Sequence, residues 1–265
     1  MEKEDELNFK FGSLERLYGN GCSERLGRSH VCVVGLGGVG SWAVEGLARS
    51  GVGSITLVDF DDICISNFNR QIHAVDSSVG KLKTDVLEDR IFQINSYCKI
   101  TKINATFNAD SIEEVFFEKF DFVIDAIDDL KNKCILIKTC KDRGVPIVVC
   151  GGVGGRQNPW QIQFADLGNS FQDRLLYKTR KKLRQQMGFK KSSGKMNIPC
   201  VFSDEKPYFL DECGNATQED KYKAAEPLTC SSGLGTSSFV CAAMGFSASA
   251  VVVKQILNEK KMITK

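Results

Sequence analysis

An apolar run that breaks into closely spaced glycines, VCVVGLGGVG over residues 31–40, most constrains what this chain can fold into. An uninterrupted apolar run of this length reads as a strand buried on both faces, the kind found inside parallel sheets. Gly35, Gly37, Gly38 and Gly40 then satisfy the G-x-G-x-x-G spacing. Such glycines permit a tight turn and let phosphate approach backbone N–H groups at a helix N-terminus. Ser41 to Ser50 reads as that helix, and Ser54 to Val58 as the next strand. The result is a βαβ unit of about 30 residues, the context in which this otherwise weak glycine signal points to a nucleotide.

The alternation continues downstream. Leu82, Val86, Leu87, Ile91 and Ile94 recur at helical spacing, and Ser111-x-x-Glu114 predicts a capping box opening a short helix. FVIDAI from Phe122 reads as a buried strand, Lys131 to Arg143 as a helix and Val145 to Cys150 as a strand. Strands alternating with helices predict an α/β fold with a doubly wound, mostly parallel, Rossmann-like sheet. The character changes after Gly151 to Gly155. Trp160 to Phe164 reads as one more strand, Ser203 to Pro227 as polar loop, and Gly235 to Glu259 as a final helix. The expected organisation is a nucleotide-binding core over residues 1–165 and a C-terminal extension over 166–265 that ends in a buried helix.

Residues 227–253 carry no charged side chain, long enough to span a bilayer. Their serines, threonines and glycines suit a helix packed closely on a sheet or a second subunit, so no stable membrane insertion is expected. The eleven cysteines are odd in number and contain no C-x-x-C pair, which argues against a disulfide framework or a structural zinc site. The N-terminus, MEKEDELNFKFG, lacks an export signal, and a cytoplasmic location is expected. Cys200 and Cys230 follow the nucleotide core, yet packing is the better reading for both.

Asp59 ends the second strand, where a carboxylate accepts hydrogen bonds from ribose hydroxyls and repels a 2′-phosphate. NADP is therefore disfavoured, leaving NAD and ATP. Attack of a carboxylate on the α-phosphate of ATP brings two anions together, and cations must screen the approach and stabilise the departing pyrophosphate. Arg70 and Lys83 supply such charges, and Asp128 can hold Mg²⁺ on the phosphates. Taken singly, the two cations also fit solvated surface positions and Asp128 a helix cap. His73 follows the same turn and could face the site, whereas His30 reads as packing.

Together, DFDDICISNFNRQ (59–71), the GLGGVG loop, VGKLK (79–83) and DAID (125–128) resemble the ubiquitin-activating-enzyme-like superfamily. Its bacterial members adenylate carboxylates for molybdopterin, thiamine and tRNA modification. By position, the resemblance implies Asp59 as the ribose ligand, Asn69 and Arg70 as phosphate contacts, Lys83 on the α-phosphate and Asp128 at magnesium. Asp61, Asn67 and Gln71 join the implied ATP set. Arg16, in LERLYG, is similar to an arginine that relatives reach across a dimer interface, which implies a homodimer.

LERLYG, SNFNRQIHA, FVIDAID, the NPWQIQ region, CVFS (200–203) and CSSGLGTSSFV closely resemble the tRNA threonylcarbamoyladenosine dehydratases. That resemblance implies ATP-driven ring closure on a modified adenosine of tRNA through a carboxyl adenylate. The alternative is adenylation of the C-terminus of a ubiquitin-like sulfur carrier, whose enzymes typically have zinc-binding cysteine pairs absent here. A cysteine-desulfurase or sulfur-acceptor partner stays open. Lys178, Arg180, Lys181, Lys182, Arg184, Lys190, Lys191 and Lys195 form a run without an acidic residue, in a chain of net charge +2. A charge run usually means a solvated helix face, but this one, with the resemblance, suits contact with a tRNA backbone.

Overall fold

The structure is a computed structural model, and it describes residues 3–189, 194–219 and 234–258. Lys190, Lys191, Cys230, residues 227–233 and Glu259 lie outside the described residues.

Two N-terminal helices, α1 (Lys3–Tyr18) and α2 (Cys22–Gly27), precede the alternating core. There follow β1 (His30–Val34), α3 (Gly40–Arg49), β2 (Ser54–Val58), α4 (Lys83–Ile94), β3 (Lys99–Ile103), α5 (Ile112–Val115), β4 (Phe122–Asp125), α6 (Leu130–Arg143) and β5 (Ile147–Cys150). The chain then forms β6 (Ile162–Asp166), α7 (Arg174–Gln186), β7 (Pro199–Ser203), the short pair β8 (Phe209–Leu210) and β9 (Ala216–Thr217), and α8 (Ser238–Asn258).

Seven strands form one sheet in the order β3-β2-β1-β4-β5-β7-β6. All neighbours pair parallel except β6, which runs antiparallel along β7 at the edge. Period-two alternation sorts each strand between two cores. Val31 and Val33 of β1 face a layer containing Leu47 of α3 and Met244 and Val252 of α8. Cys32 and Val34 face Ile137 of α6 and Leu176 and Leu183 of α7. The chain order reverses between β1 and β4, so the crevice outside their C-terminal ends is where an open α/β sheet binds ligand.

The apolar C-terminal helix meets the length and composition of a membrane span, yet 56% of its most apolar window is buried inside the fold. Its small residues have a packing reason. A Cβ on Gly245 would lie 2.5 Å from the Val39 carbonyl oxygen, and one on Gly46 would lie 2.2 Å from Ser249 Oγ. Only such residues let α8 press its backbone against α3.

Several expectations need correction. The final helix begins at Ser238, and the FVIDAI strand closes at Asp125, three residues before Asp128. The edge strand runs over Ile162–Asp166, with Trp160 in the preceding turn. The capping box at Ser111 does not form. Ser111 Oγ instead accepts from Asn108 N at 2.9 Å and donates to the Thr106 carbonyl at 3.1 Å, closing the preceding turn. Strands β3 and β7 were not expected: KITKI is too polar to announce itself, and PCVFS follows a long polar stretch.

Candidate active site

The glycine loop joins β1 to α3. Gly35 has φ +87°, and a Cβ there would sit 2.9 Å from the Ala126 carbonyl oxygen. A Cβ on Gly40 would come within 1.8 Å of the Gly35 carbonyl oxygen, so these two glycines close the turn itself. Gly37 and Gly38 lie between them. Among the described residues the Gly37 Cβ position has only Gln71 Nε2 nearby, at 3.9 Å, whereas that of Gly38 meets Cys241 Sγ at 2.9 Å and the Arg70 side chain at 3.6 Å.

Asp59 ties this loop to the end of β2. Its carboxylate accepts from the amides of Leu36 at 2.6 Å and Asp61 at 2.9 Å. A carboxylate offers about four acceptor sites, so capacity for a ribose hydroxyl remains. Lys83, the first residue of α4, is buried and donates to Asp61 Oδ2 at 2.6 Å, with Asp59 Oδ1 at 3.8 Å. One ammonium thus lies between two carboxylates beside the glycine loop.

The helices carrying these groups are locked together. Glu45 of α3, buried, takes a two-pronged contact from Arg90 of α4 at 2.6 and 3.0 Å, plus Arg49 at 2.7 Å. Burial alone would raise the Glu45 carboxyl, but the hydrogen bonds from Arg90 and Arg49 hold it below the ordinary range. This clamp sets the glycine loop, at the head of α3, relative to Lys83, at the head of α4.

The SNFNRQ turn folds against the same loop. Trp42 Nε1 donates to the Arg70 carbonyl at 2.9 Å, a contact the sequence did not announce. Arg70 is half-buried, and Nη1 donates to the Ser66 carbonyl at 2.5 Å and to Asn69 Oδ1 at 3.0 Å. Asn69 Nδ2 donates to the Thr236 carbonyl at 2.9 Å, linking the turn to the approach to α8. Gln71 is buried with Oε1 unpartnered among the described residues, whereas Asn67 turns inward and accepts from Cys64 N at 3.1 Å. Asn67 Oδ1 therefore shapes the turn.

His73 is buried, and among the described residues neither ring nitrogen has a hydrogen-bond partner. Burial, reinforced by the charges of Lys83 and Arg90, lowers its pKa to about 3, so the ring is neutral at physiological pH. His30 packs edge-on against Phe120 and bonds Thr56 Oγ1 at 2.8 Å.

Asp128 lies exposed in the loop between β4 and α6, and the helix cap is its neighbour Asp129, which accepts from Asn132 N at 2.8 Å. Asp128 is thus free of the capping task and open to the crevice edge, as a single carboxylate completing a Mg²⁺ shell with phosphate oxygens needs to be. Beneath it sits a fully buried ion pair. Lys133 Nζ donates to Asp125 Oδ1 at 3.0 Å and to the Ile127 carbonyl at 2.7 Å, bracing the residue before Asp128. Burial pushes the Asp125 carboxyl up against the opposing pull of Lys133, and among the described residues Asp125 Oδ2 has no partner. Arg16 is exposed in the last turn of α1.

Cys200 and Cys241 are buried packing residues. Burial pushes the Cys200 thiol up to about 12 and Cys241 up to about 11.

The basic run divides in two. Lys178 and Lys181 of α7 are exposed, as is Lys195, and Lys182 is half-buried. Arg180 Nη1, by contrast, donates to the carbonyls of Leu167 at 3.0 Å and Ser170 at 2.8 Å, and Arg184 Nη2 to Gly194 at 3.0 Å. Arg180 and Arg184 thus also tie loops together.

Comparison with known proteins points in one direction. The chain is 40% identical to the tRNA threonylcarbamoyladenosine dehydratase of Escherichia coli (strain K12) over 250 residues, 94% of this chain and 93% of that protein. It is 38% identical to the protein of that name from Haemophilus influenzae over 264 residues, 98% of each. The crystal structure of the E. coli tRNA N6-threonylcarbamoyladenosine dehydratase TcdA in complex with ATP is similar, with TM-score 0.84, 38% identity and 96% of both chains covered. The ThiF family model matches residues 13–265, and on that match over nearly its full length the chain belongs to the ThiF family.

Proposed function

We propose that this protein is an ATP-dependent tRNA threonylcarbamoyladenosine dehydratase, closing a ring on a modified adenosine through a carboxyl adenylate. Extended similarity to two dehydratases of that name supports the reading. The observation that carries it is the cation pair at the glycine loop: Lys83 buried between Asp59 and Asp61, and Arg70 packed on Gly38. Hydride transfer would have no use for two cations there.

In this reading ATP lies across the β1–β4 crevice, its ribose on Asp59 and its phosphates over Gly37 and Gly38. A carboxylate oxygen of the threonyl group attacks the α-phosphorus. The bond to pyrophosphate breaks, and Lys83 and Arg70 stabilise the charge that develops. Mg²⁺, when bound at Asp128, supplies charge neutralisation on the phosphates. An atom of the neighbouring carbamoyl group then attacks the activated carbonyl carbon, and AMP departs. Intramolecular attack of this kind enjoys effective molarities of roughly 10⁵–10⁸ M, so no enzyme nucleophile is needed. Thiols held protonated by burial agree with that economy. Residues 1–165 supply the nucleotide groups, and residues 166–265 the surface for tRNA. A homodimer in which Arg16 reaches the partner's site, and a cytoplasmic location, complete the proposal.

The test is a nucleoside digest of tRNA incubated with protein and ATP. Loss of water from threonylcarbamoyladenosine is expected, abolished in Lys83→Ala and reduced about 10²–10³-fold in Arg70→Ala. Adenylation of a carrier-protein tail with tRNA left untouched would refute the assignment in favour of the sulfur-carrier reading.

A further inference from the structure

We propose that the exposed face of α7 is a stacking strip for an unpaired stretch of the substrate tRNA, with Tyr177 as the ring on which a base stacks. The inference rests on the tRNA reading above and adds to it which groups hold the RNA.

Arg174, Tyr177, Lys178 and Lys181 are spaced i, i+3, i+4 and i+7, which puts them on one side of the helix. All four are exposed, while Leu176, Thr179 and Leu183 on the opposite side are buried. No acidic residue occurs anywhere in α7. The strip is therefore uniformly positive, about 10 Å long from Arg174 to Lys181, with a large ring 56% exposed in its middle.

The ring is braced from behind. The Arg180 guanidinium lies over Tyr177 at 5.7 Å from the ring centroid. Arg180 is itself fixed by Leu167, by the Ser170 carbonyl and by Ser170 Oγ at 2.9 Å. One face of the ring is thereby taken by an immobilised cation, leaving the other for a planar partner. Arginine backing also enriches the ring as a stacking surface, the pairing that single-strand binders use.

The strip starts at the correct edge of the sheet. Asp173, the N-cap of α7, accepts from Leu176 N at 2.8 Å and, with its other oxygen, from Gly152 N at 2.9 Å. Gly152 lies two residues beyond Cys150, the C-terminal end of β5. The C-terminal ends of β1, β2 and β4 lead into the glycine loop, Asp59 and Asp128. RNA whose target nucleotide enters the crevice can thus continue along α7. Positive side chains for phosphate, interleaved with a ring that accepts any base, match single-stranded RNA better than an acidic protein surface, which would leave the ring's open face without a planar partner.

The test uses the full-length protein and an anticodon stem-loop RNA with 2-aminopurine in its loop, titrated over a range of salt. Tyr177→Ala is expected to weaken binding about tenfold with an unchanged salt slope and to lose the quenching of 2-aminopurine. Tyr177→Phe retains the ring and binds as the parent does. The triple variant Arg174→Gln, Lys178→Gln, Lys181→Gln flattens the salt dependence by about 0.7 per cation removed. ATP binding stays unchanged in all of them. If the parent protein binds no tRNA, the functional reading itself fails. If the parent binds but Tyr177→Ala binds equally well, or polyglutamate competes as strongly as polyuridylate, the strip is wrong and that reading survives.

Discussion

Replacing Gly40 by alanine puts the new methyl 1.8 Å from the Gly35 carbonyl oxygen, where real contacts of this type stay above 3.0 Å. The two segments must part by about 1.2 Å, and the atom in the way is backbone, which cannot rotate aside. Overpacking of this kind costs about 1–3 kcal/mol. The displacement falls on the loop that would cradle phosphate, where an error near 1 Å costs on the order of 100-fold in rate. Gly37→Ala separates fold from ligand. Its methyl meets nothing among the described residues closer than 3.9 Å, so the fold they make is undisturbed while the space over the loop is filled. ATP-dependent pyrophosphate exchange and thermal melting, measured on both variants, read the two effects. Gly40→Ala should lose both stability and exchange, and Gly37→Ala should melt as the parent does while binding ATP poorly. A Gly37→Ala protein with parental ATP affinity would refute the idea that phosphate rests on this loop.

Lys133→Met leaves the Asp125 carboxylate, fully buried, without its ammonium, and chemical denaturation should show a loss of about 3–5 kcal/mol. Adding Asp125→Asn should recover much of it, and if it recovers none the ion pair is not the cause. His73 is held uncharged down to about pH 3 in the folded chain, against an ordinary value of 6.5. Between those limits the unfolded chain binds a proton that the folded chain refuses, so stability is complete above pH 6.5 and falls as pH drops, by up to about 1.4 kcal/mol per unit. Denaturation midpoints at pH 7 and pH 5 should diverge for the parent. In His73→Phe, which leaves no buried nitrogen unpaired, this histidine's contribution to that divergence disappears; an identical pH dependence in the variant would refute the assignment.

The βαβ unit, the parallel sheet and the buried final helix were legible because each rests on local pattern: an apolar run, glycine spacing, a helical period. That Lys83 and Asp59 would meet beside the glycine loop was also legible, since an open sheet gathers the ends of its strands and the starts of its helices at one edge. Local pattern could not tell which polar groups serve the fold. Asn67 and Asp128 share a polar context in the sequence, yet one bonds Cys64 N inside its own turn and the other stands open to solvent. Arg180 and Lys181 are adjacent and both cationic, but the helical step of 100° turns one onto the carbonyls of Leu167 and Ser170 and the other outward.

By itself, then, the order of residues determined the architecture and the edge of the sheet at which chemistry belongs, because period and turn propensity act over a few neighbouring positions. Which charges remain available there was settled only when distant segments met. Glu45 with Arg90, Trp42 with Arg70, and Lys133 with Asp125 are pairings across 45, 28 and 8 positions. A hydrogen bond is decided by distances of about 3 Å in space, and separation along the chain does not fix those distances.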